Sequence, residues 1–161
     1  PTLMFGLFDR KHLGWLSRFM EKTPLFPIPG NGRYLRQPLF VEDYVNIIVS
    51  SLTHKISGTY DISGQEKISY IDIIKVIKRQ KKSKTIVQYT PYVFFFVLLK
   101  IWALFDRNPP FTVYQLRALV IPETFPSSEW ESIFNVKPTQ FEKAAKKTFG
   151  NNKFNKIRLK F

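Results

Sequence analysis

GNGRYLRQPLFVEDYVNII (residues 30–48) sets two glycines, two arginines and a proline directly against an acid-tipped apolar run. Loops that abut a helix N-terminus are places where anions and cofactors are held, because the first amides of a helix lack partners and lie at the positive end of its dipole. A surface turn with solvated arginines is the other way to read the same residues, and local chemistry leaves both open. From residue 41 the spacing predicts a helix, with Val41, Tyr44, Val45, Ile48 and Leu52 along one face and Glu42 and Asp43 in its first turn.

Toward the N-terminus, LFPIPGNGRYLRQP (25–38) reads as a Pro/Gly loop. Before it, KHLGWLSRFMEKTP (11–24) reads as a short helix with Leu13, Leu16, Phe19 and Met20 on one face and Pro24 ending it. PTLMFG (1–6) reads as the end of a buried strand with Gly6 as the following turn, and Asp9 as turn chemistry. An apolar opening of this kind, with no leader pattern, carries the expectation that the chain is a piece of something longer.

Toward the C-terminus, GTYDIS (58–63) reads as a short strand. Ser69 is spaced to cap a helix with Asp72 at its third position, while Ile68 and Ile73 form a hydrophobic staple. KTIVQY (84–89) alternates as a strand does. Ser128 with Glu131 suggests a short helix closed by Asn135, and Thr139 with Glu142 suggests the cap of a last helix carrying Phe141, Ala144, Ala145 and Phe149. YVFFFVLLKIWALF (92–105) contains Lys100 and is too short for a bilayer span of about 20 residues. It reads as a core helix, with a helix lying in a membrane surface beside the basic run at 75–84 as the alternative.

Composition narrows the chemistry. At 161 residues, 44% hydrophobic, the chain is long enough and apolar enough for one domain with a real core. Without cysteine there is no disulfide, thiolate metal site or cysteine nucleophile. His12 and His54 stand far apart, so no metal ligand is assigned. The net charge is +13, yet six of the 25 basic residues lie in 75–84 and four in the tail 150–161, which read as a solvated helix end and a basic terminus. Aromatics are not interleaved with these runs, so nucleic acid is not an expected partner. No glycine-rich phosphate loop and no Ser/His/Asp set is found, and Asp61, Glu66, Asp72 and Glu123 read as caps or surface groups. No residue is assigned a catalytic role.

Four segments in order carry a resemblance. PTLMFG resembles an "RPT-x-x-YG" strand end, with Phe5 in place of tyrosine. PGNGRYLRQPLFVEDYVNIIVSSL resembles "G-x-G-x-x-x-Q-P-V-x-V-D-D-V-A", GTYDISGQEKISYIDIIKVI resembles "G-x-x-Y-N-L-G-G-x-x-x-x-T-Y-x-E", and FPSSEWESIFNVKPTQFEKAAKKTF resembles "D-x-S-x-A-x-x-x-L-G-F-x-P" with its following helix. Together they resemble the C-terminal half of the extended short-chain dehydrogenase/reductases, the NAD-dependent epimerase/dehydratase family. Leu3 stands where nucleotide-sugar epimerases carry asparagine, and Asn135 and Val136 where the family has glycine and an aromatic.

The resemblance implies an α/β chain, the C-terminal part of a Rossmann-like doubly wound fold with a small mixed α/β substrate-binding subdomain over 1–161. It implies NAD or NADP as cofactor, with Pro1 and Thr2 beside the nicotinamide, and Arg36, Arg33 and Gln37 facing a nucleotide-sugar or related anionic small molecule. A guanidinium presents paired donors suited to phosphate. The family's glycine loop and Tyr-x-x-x-Lys pair belong to the other half, and none of the seven tyrosines here has lysine four residues on. The expectation is therefore a substrate-binding portion, inactive without its N-terminal half, of a sugar-nucleotide epimerase, dehydratase or reductase in cell-surface polysaccharide biosynthesis; the alternative is a non-enzymatic basic module that associates with a membrane surface or nucleic acid through 75–105 and the tail. The implied location is cytoplasmic, with peripheral membrane contact through 92–105 and a homodimer left open.

Overall fold

The computed structural model describes residues 1–105, 112–126 and 129–151. The chain runs through β1 (Met4–Phe5), α1 (His12–Lys22), β2 (Leu25–Pro29), β3 (Leu35–Arg36), β4 (Leu39–Phe40), α2 (Val41–Thr53), β5 (Ile68–Ser69), α3 (Tyr70–Lys81), β6 (Ile86–Thr90), α4 (Tyr92–Phe105), α5 (Val113–Val120), α6 (Trp130–Phe134) and α7 (Phe141–Phe149). Its strands pair two by two: β1 parallel to β4, β2 parallel to β6, β3 antiparallel to β5. The fold is mixed α/β, with parallel pairs joined through helices.

Local chemistry explains where the first helices begin. The Asp9 carboxylate accepts from the Lys11 and Gly14 amides at 3.0 and 2.8 Å, which satisfies the opening turn of α1. Burial pushes this carboxyl above its ordinary value, and the bond from Gly14 pulls the other way. At α3, the Ser69 hydroxyl accepts from the Asp72 amide, as the spacing predicts, and Ile68 packs against the cluster that buries Ile73.

Several expectations are corrected. Residues 25–29 form a strand rather than loop. Ile86 donates to Pro24 O and Gly30 to Thr90 O, so the even-numbered residues of this stretch face β6 and Pro27 and Pro29 point their missing amides away from the ladder. Residues 58–63 form no strand; one bond, from the Thr2 amide to Ile62 O, ties them to the β1 segment, and the extended pairing falls instead at β5. Thr139 does not cap α7. Its amide and hydroxyl both donate to the Asp43 carboxylate, at 2.8 and 2.7 Å, and the helix opens two residues later with the Phe141 amide donating to Glu66. Asn135 does close α6 in the left-handed conformation. The proposed start at Ser128 and residues 152–161 of the basic tail lie outside the described residues.

Two helices turn out differently from their periodicity. On α2 the buried residues are Asp43 and Ile47, whereas Val45, Ile48 and Leu52 are exposed. Asp43's bonds to Thr139 and the packing of Ile47 beside Trp130 and Phe134 set the rotation of a helix that is apolar on most sides. The stretch 92–105 is helical but not core: of its fourteen residues only Leu99 is buried.

Two clusters make up the core. Phe5, Ile28, Ile73, Ile74, Ile77, Ala144 and Phe149 lie between β1, β2, α3 and α7, with the Phe5 ring 5.6 Å from Phe40 and 5.2 Å from Phe141. Leu39, Ile47, Ile62, Trp130, Phe134 and Val136 form the second, anchored where Trp130 Nε1 donates to Ser63 O at 2.8 Å.

Candidate substrate-binding site

The loop from 30 to 34 leaves β2 through Gly30 and Gly32, both at φ +66°, with the Asn31 side chain accepting from the Arg33 amide at 2.9 Å. A Cβ on Gly32 would lie 2.9 Å from Ile28 and 3.1 Å from Ile71, so both backbone angle and space call for glycine there. The Gly32 carbonyl then accepts from Ile71 and the Tyr34 carbonyl from Tyr70, which fastens the loop onto the start of α3.

Arg36 is the hub of this region and is only 6% exposed. Its backbone pairs with Ile68 on one side and bridges to Glu123 on the other. Its guanidinium donates from Nη1 to Leu35 O and Ile121 O, at 2.8 and 2.7 Å, and from Nη2 to Ala118 O and Leu119 O, at 3.1 and 2.5 Å. Three of these carbonyls belong to the end of α5, where orphan acceptors and the negative end of the helix dipole favour a cation. Glu123 lies 3.9 Å from Nε. Arg36 therefore caps α5 across more than eighty residues of sequence.

Gln37 is 2% exposed and its side chain is shared between backbones: Nε2 donates to Gly64 O at 3.0 Å and the Phe125 amide donates to Oε1. Thr2 joins the same knot, its hydroxyl donating to Gln37 O at 3.0 Å. Thr2, Arg36 and Gln37 are thus brought together, while Arg33 stands exposed on the loop. Pro1 is exposed at the N-terminus. Both Thr2 donors are committed, the amide to Ile62 O and the hydroxyl to Gln37 O.

Beside the hub lies an open cavity of about 350 Å³ lined by Pro29, Gly30, Asn31, Tyr34, Tyr92 and Val120. Tyr34 stacks on Tyr70 with ring centroids 5.1 Å apart, and the Arg36 guanidinium sits 5.5 Å from the Tyr34 ring. Burial pushes both phenols well above their ordinary range; the Arg36 charge partly offsets this, and for Tyr70 the neighbouring Tyr34 adds to it. Among the described residues the buried Tyr34 hydroxyl has no hydrogen-bond partner. The sequence reading missed both this tyrosine and α5. The Thr112–Gln115 capping box, whose two reciprocal bonds are formed, was the signal that could have revealed the helix. A second cavity, about 280 Å³, lies near the α7 N-terminus among Phe5, Phe40, Asp43, Glu66 and Thr139.

No protein-family profile matches the chain. Over 56 residues, 34% of this chain and 16% of the relative, it is 38% identical to dTDP-glucose 4,6-dehydratase from Escherichia coli. Among solved structures, UDP-glucose 4-epimerase from Thermotoga maritima, determined with UDP-glucose, superposes over 92% of this chain and 42% of its own, with TM-score 0.61 and 14% identity. dTDP-glucose 4,6-dehydratase from Bacillus anthracis, in complex with NAD, covers 92% of this chain and 41% of its own, with TM-score 0.59 and 16% identity. The chain spans about two fifths of the length of these structures. In fold, and over one stretch in sequence, it is similar to the C-terminal half of the extended short-chain dehydrogenase/reductases, the NAD-dependent epimerase/dehydratase family.

Proposed function

We propose that the chain is the substrate-binding portion of an NAD(P)-dependent sugar-nucleotide epimerase, dehydratase or reductase, in the service of cell-surface polysaccharide biosynthesis. The cofactor supplies the hydride chemistry at a sugar carbon. This chain contributes the pocket that holds the nucleotide-sugar and the packing surface of Pro1 and Thr2 at the cofactor's edge.

The observation that supports this reading is the cavity at the ends of β2 and β6, with Arg33 on its loop, Arg36 behind it and Tyr34 in its wall. Arg33 meets a diphosphate as an exposed cation. Arg36 reaches one only by exchanging carbonyl acceptors for phosphate oxygens, an exchange a charged acceptor can drive because bonds between charged groups are the stronger ones. Gln37 takes no ligand directly; its amide holds the backbones of residues 64 and 125 at the base of the site.

Turnover requires the glycine loop and the Tyr-x-x-x-Lys pair, neither of which occurs in these 161 residues. Reading the DNA upstream of the Pro1 codon tests the proposal. An in-frame stretch encoding both elements is expected; an in-frame stop codon with neither element would overturn it.

A further inference from the structure

The surface that this reading does not use is α4. A helix on a protein surface ordinarily shows one apolar stripe to the core and a polar face to water. Here Val93, Phe94, Val97, Leu98, Ile101, Leu104 and Phe105 are all exposed, Leu104 at 82% and Phe105 at 87%, and at about 100° per residue they share one face of the helix, turned away from buried Leu99. Packing is chiefly against α5, whose Tyr114 is itself 82% exposed and is followed by exposed Ile121.

In sequence the run leading into this helix carries cations only, although Lys75, Arg79 and Lys81 are paired with Asp72, Glu142 and Glu21. From residue 73 to 105 there is no aspartate or glutamate, while Lys75, Lys78, Arg79, Lys81, Lys82, Lys84 and Lys100 fall within it. Lys100 lies 5.0 Å from the Phe96 ring centroid and Arg117 of α5 lies 5.8 Å from it, so two cations stand at the apolar hairpin itself. The whole chain carries +13. Among the described residues no helix is long and apolar enough to cross a membrane. At about 1.5 Å per residue, the 14 residues of α4 measure about 21 Å, shorter than a hydrocarbon core of about 30 Å.

We propose that the α4–α5 hairpin beds into the interface of an anionic lipid bilayer, with α4 lying in the plane of the headgroups. A helix in that plane turns one apolar face toward the acyl chains, which the exposed face of α4 supplies, and the cations at its flank favour anionic lipid over an apolar protein groove. Trp102 and Tyr114 belong to the aromatic types that settle at headgroup depth. Lys100 and Arg117 supply complementarity to anionic lipid, and their stems follow the apolar surface while the charges reach outward.

The full chain is tested by flotation with vesicles of 70:30 phosphatidylcholine and phosphatidylglycerol, and with phosphatidylcholine alone. The expected result is binding to the anionic vesicles, at least tenfold weaker without phosphatidylglycerol and weaker again in 0.5 M salt. Leu104→Asp with Phe105→Asp should lower the partition at least tenfold. These positions are highly exposed, so the fold is retained, as circular dichroism will report. Leu52→Asp, exposed on α2, should leave the partition unchanged. Absence of vesicle binding, or equal loss in the Leu52 variant, would overturn the proposal. So would a self-associated chain that the α4 variant dissolves while showing no affinity for lipid.

Discussion

At Arg36 a guanidinium that loop chemistry offers to an anion is closed onto four carbonyl oxygens, three of them at the end of α5. Replacing it leaves those acceptors with no donor in a buried place. Arg36→Met, which keeps much of the stem, should cost about 2–3 kcal/mol in urea denaturation, and Arg36→Lys should recover only part, since one ammonium cannot serve four diverging acceptors. An unchanged midpoint in the methionine variant would show that the network carries no stability. Tyr34 behaves in the opposite way. Its hydroxyl is buried without a partner, so Tyr34→Phe should leave stability unchanged or slightly raised. A clear loss of stability in this variant would show that the hydroxyl has a partner in the fold.

Among the helices, α3 is the one whose start was legible residue by residue, because an N-cap is local chemistry: one hydroxyl, one amide, three positions apart. Ser69→Ala should cost about 1 kcal/mol in denaturant unfolding. The bond from the Ser69 hydroxyl is also the main reason the Asp72 carboxyl sits below its ordinary 3.8, with Lys75 assisting. A depressed carboxylate adds stability that is present above the unfolded value and lost as pH falls through the folded one. That contribution is small at so exposed a group. In the alanine variant the Asp72 titration, followed by carbon NMR, should move up toward 3.8; an unmoved titration would assign the shift to Lys75 instead. What could not be read had physical reasons. Pro27 and Pro29 disguise β2 because their missing amides matter only if one knows which edge is paired. The facing of α2 depended on Asp43 finding Thr139 ninety-six residues later, which no periodicity contains. Of the site, the basic loop was visible in the sequence, but the hub that Arg36 makes with α5 was not, because its partners are backbone carbonyls that any residue can provide.

Over the whole molecule, short strand pairs leave open edges, and an apolar face of α2 is left to water. Val45, Ile48, Val49 and Leu52 lie exposed on that helix, Leu52 at 75%. Apolar patches of this kind are normally covered in a finished assembly. The chain alone should therefore self-associate in sedimentation velocity at micromolar concentration, and Leu52→Glu should raise the monomer fraction. A purified chain that stays monomeric and melts in one cooperative step would argue that this face needs no cover.

The cap that Arg36 places on α5 has a further consequence for the molecule as a machine. An anion that captures the guanidinium takes it from the carbonyls of the helix that packs against α4. If the loop takes a diphosphate and the α4–α5 pair a bilayer, as proposed, the two events draw on the same guanidinium and would be thermodynamically linked. Linkage of this kind is reciprocal: whatever factor a bound diphosphate imposes on the hairpin's equilibrium, the hairpin's surroundings return to the diphosphate. A single arginine would make the pocket a sensor of where the protein is standing.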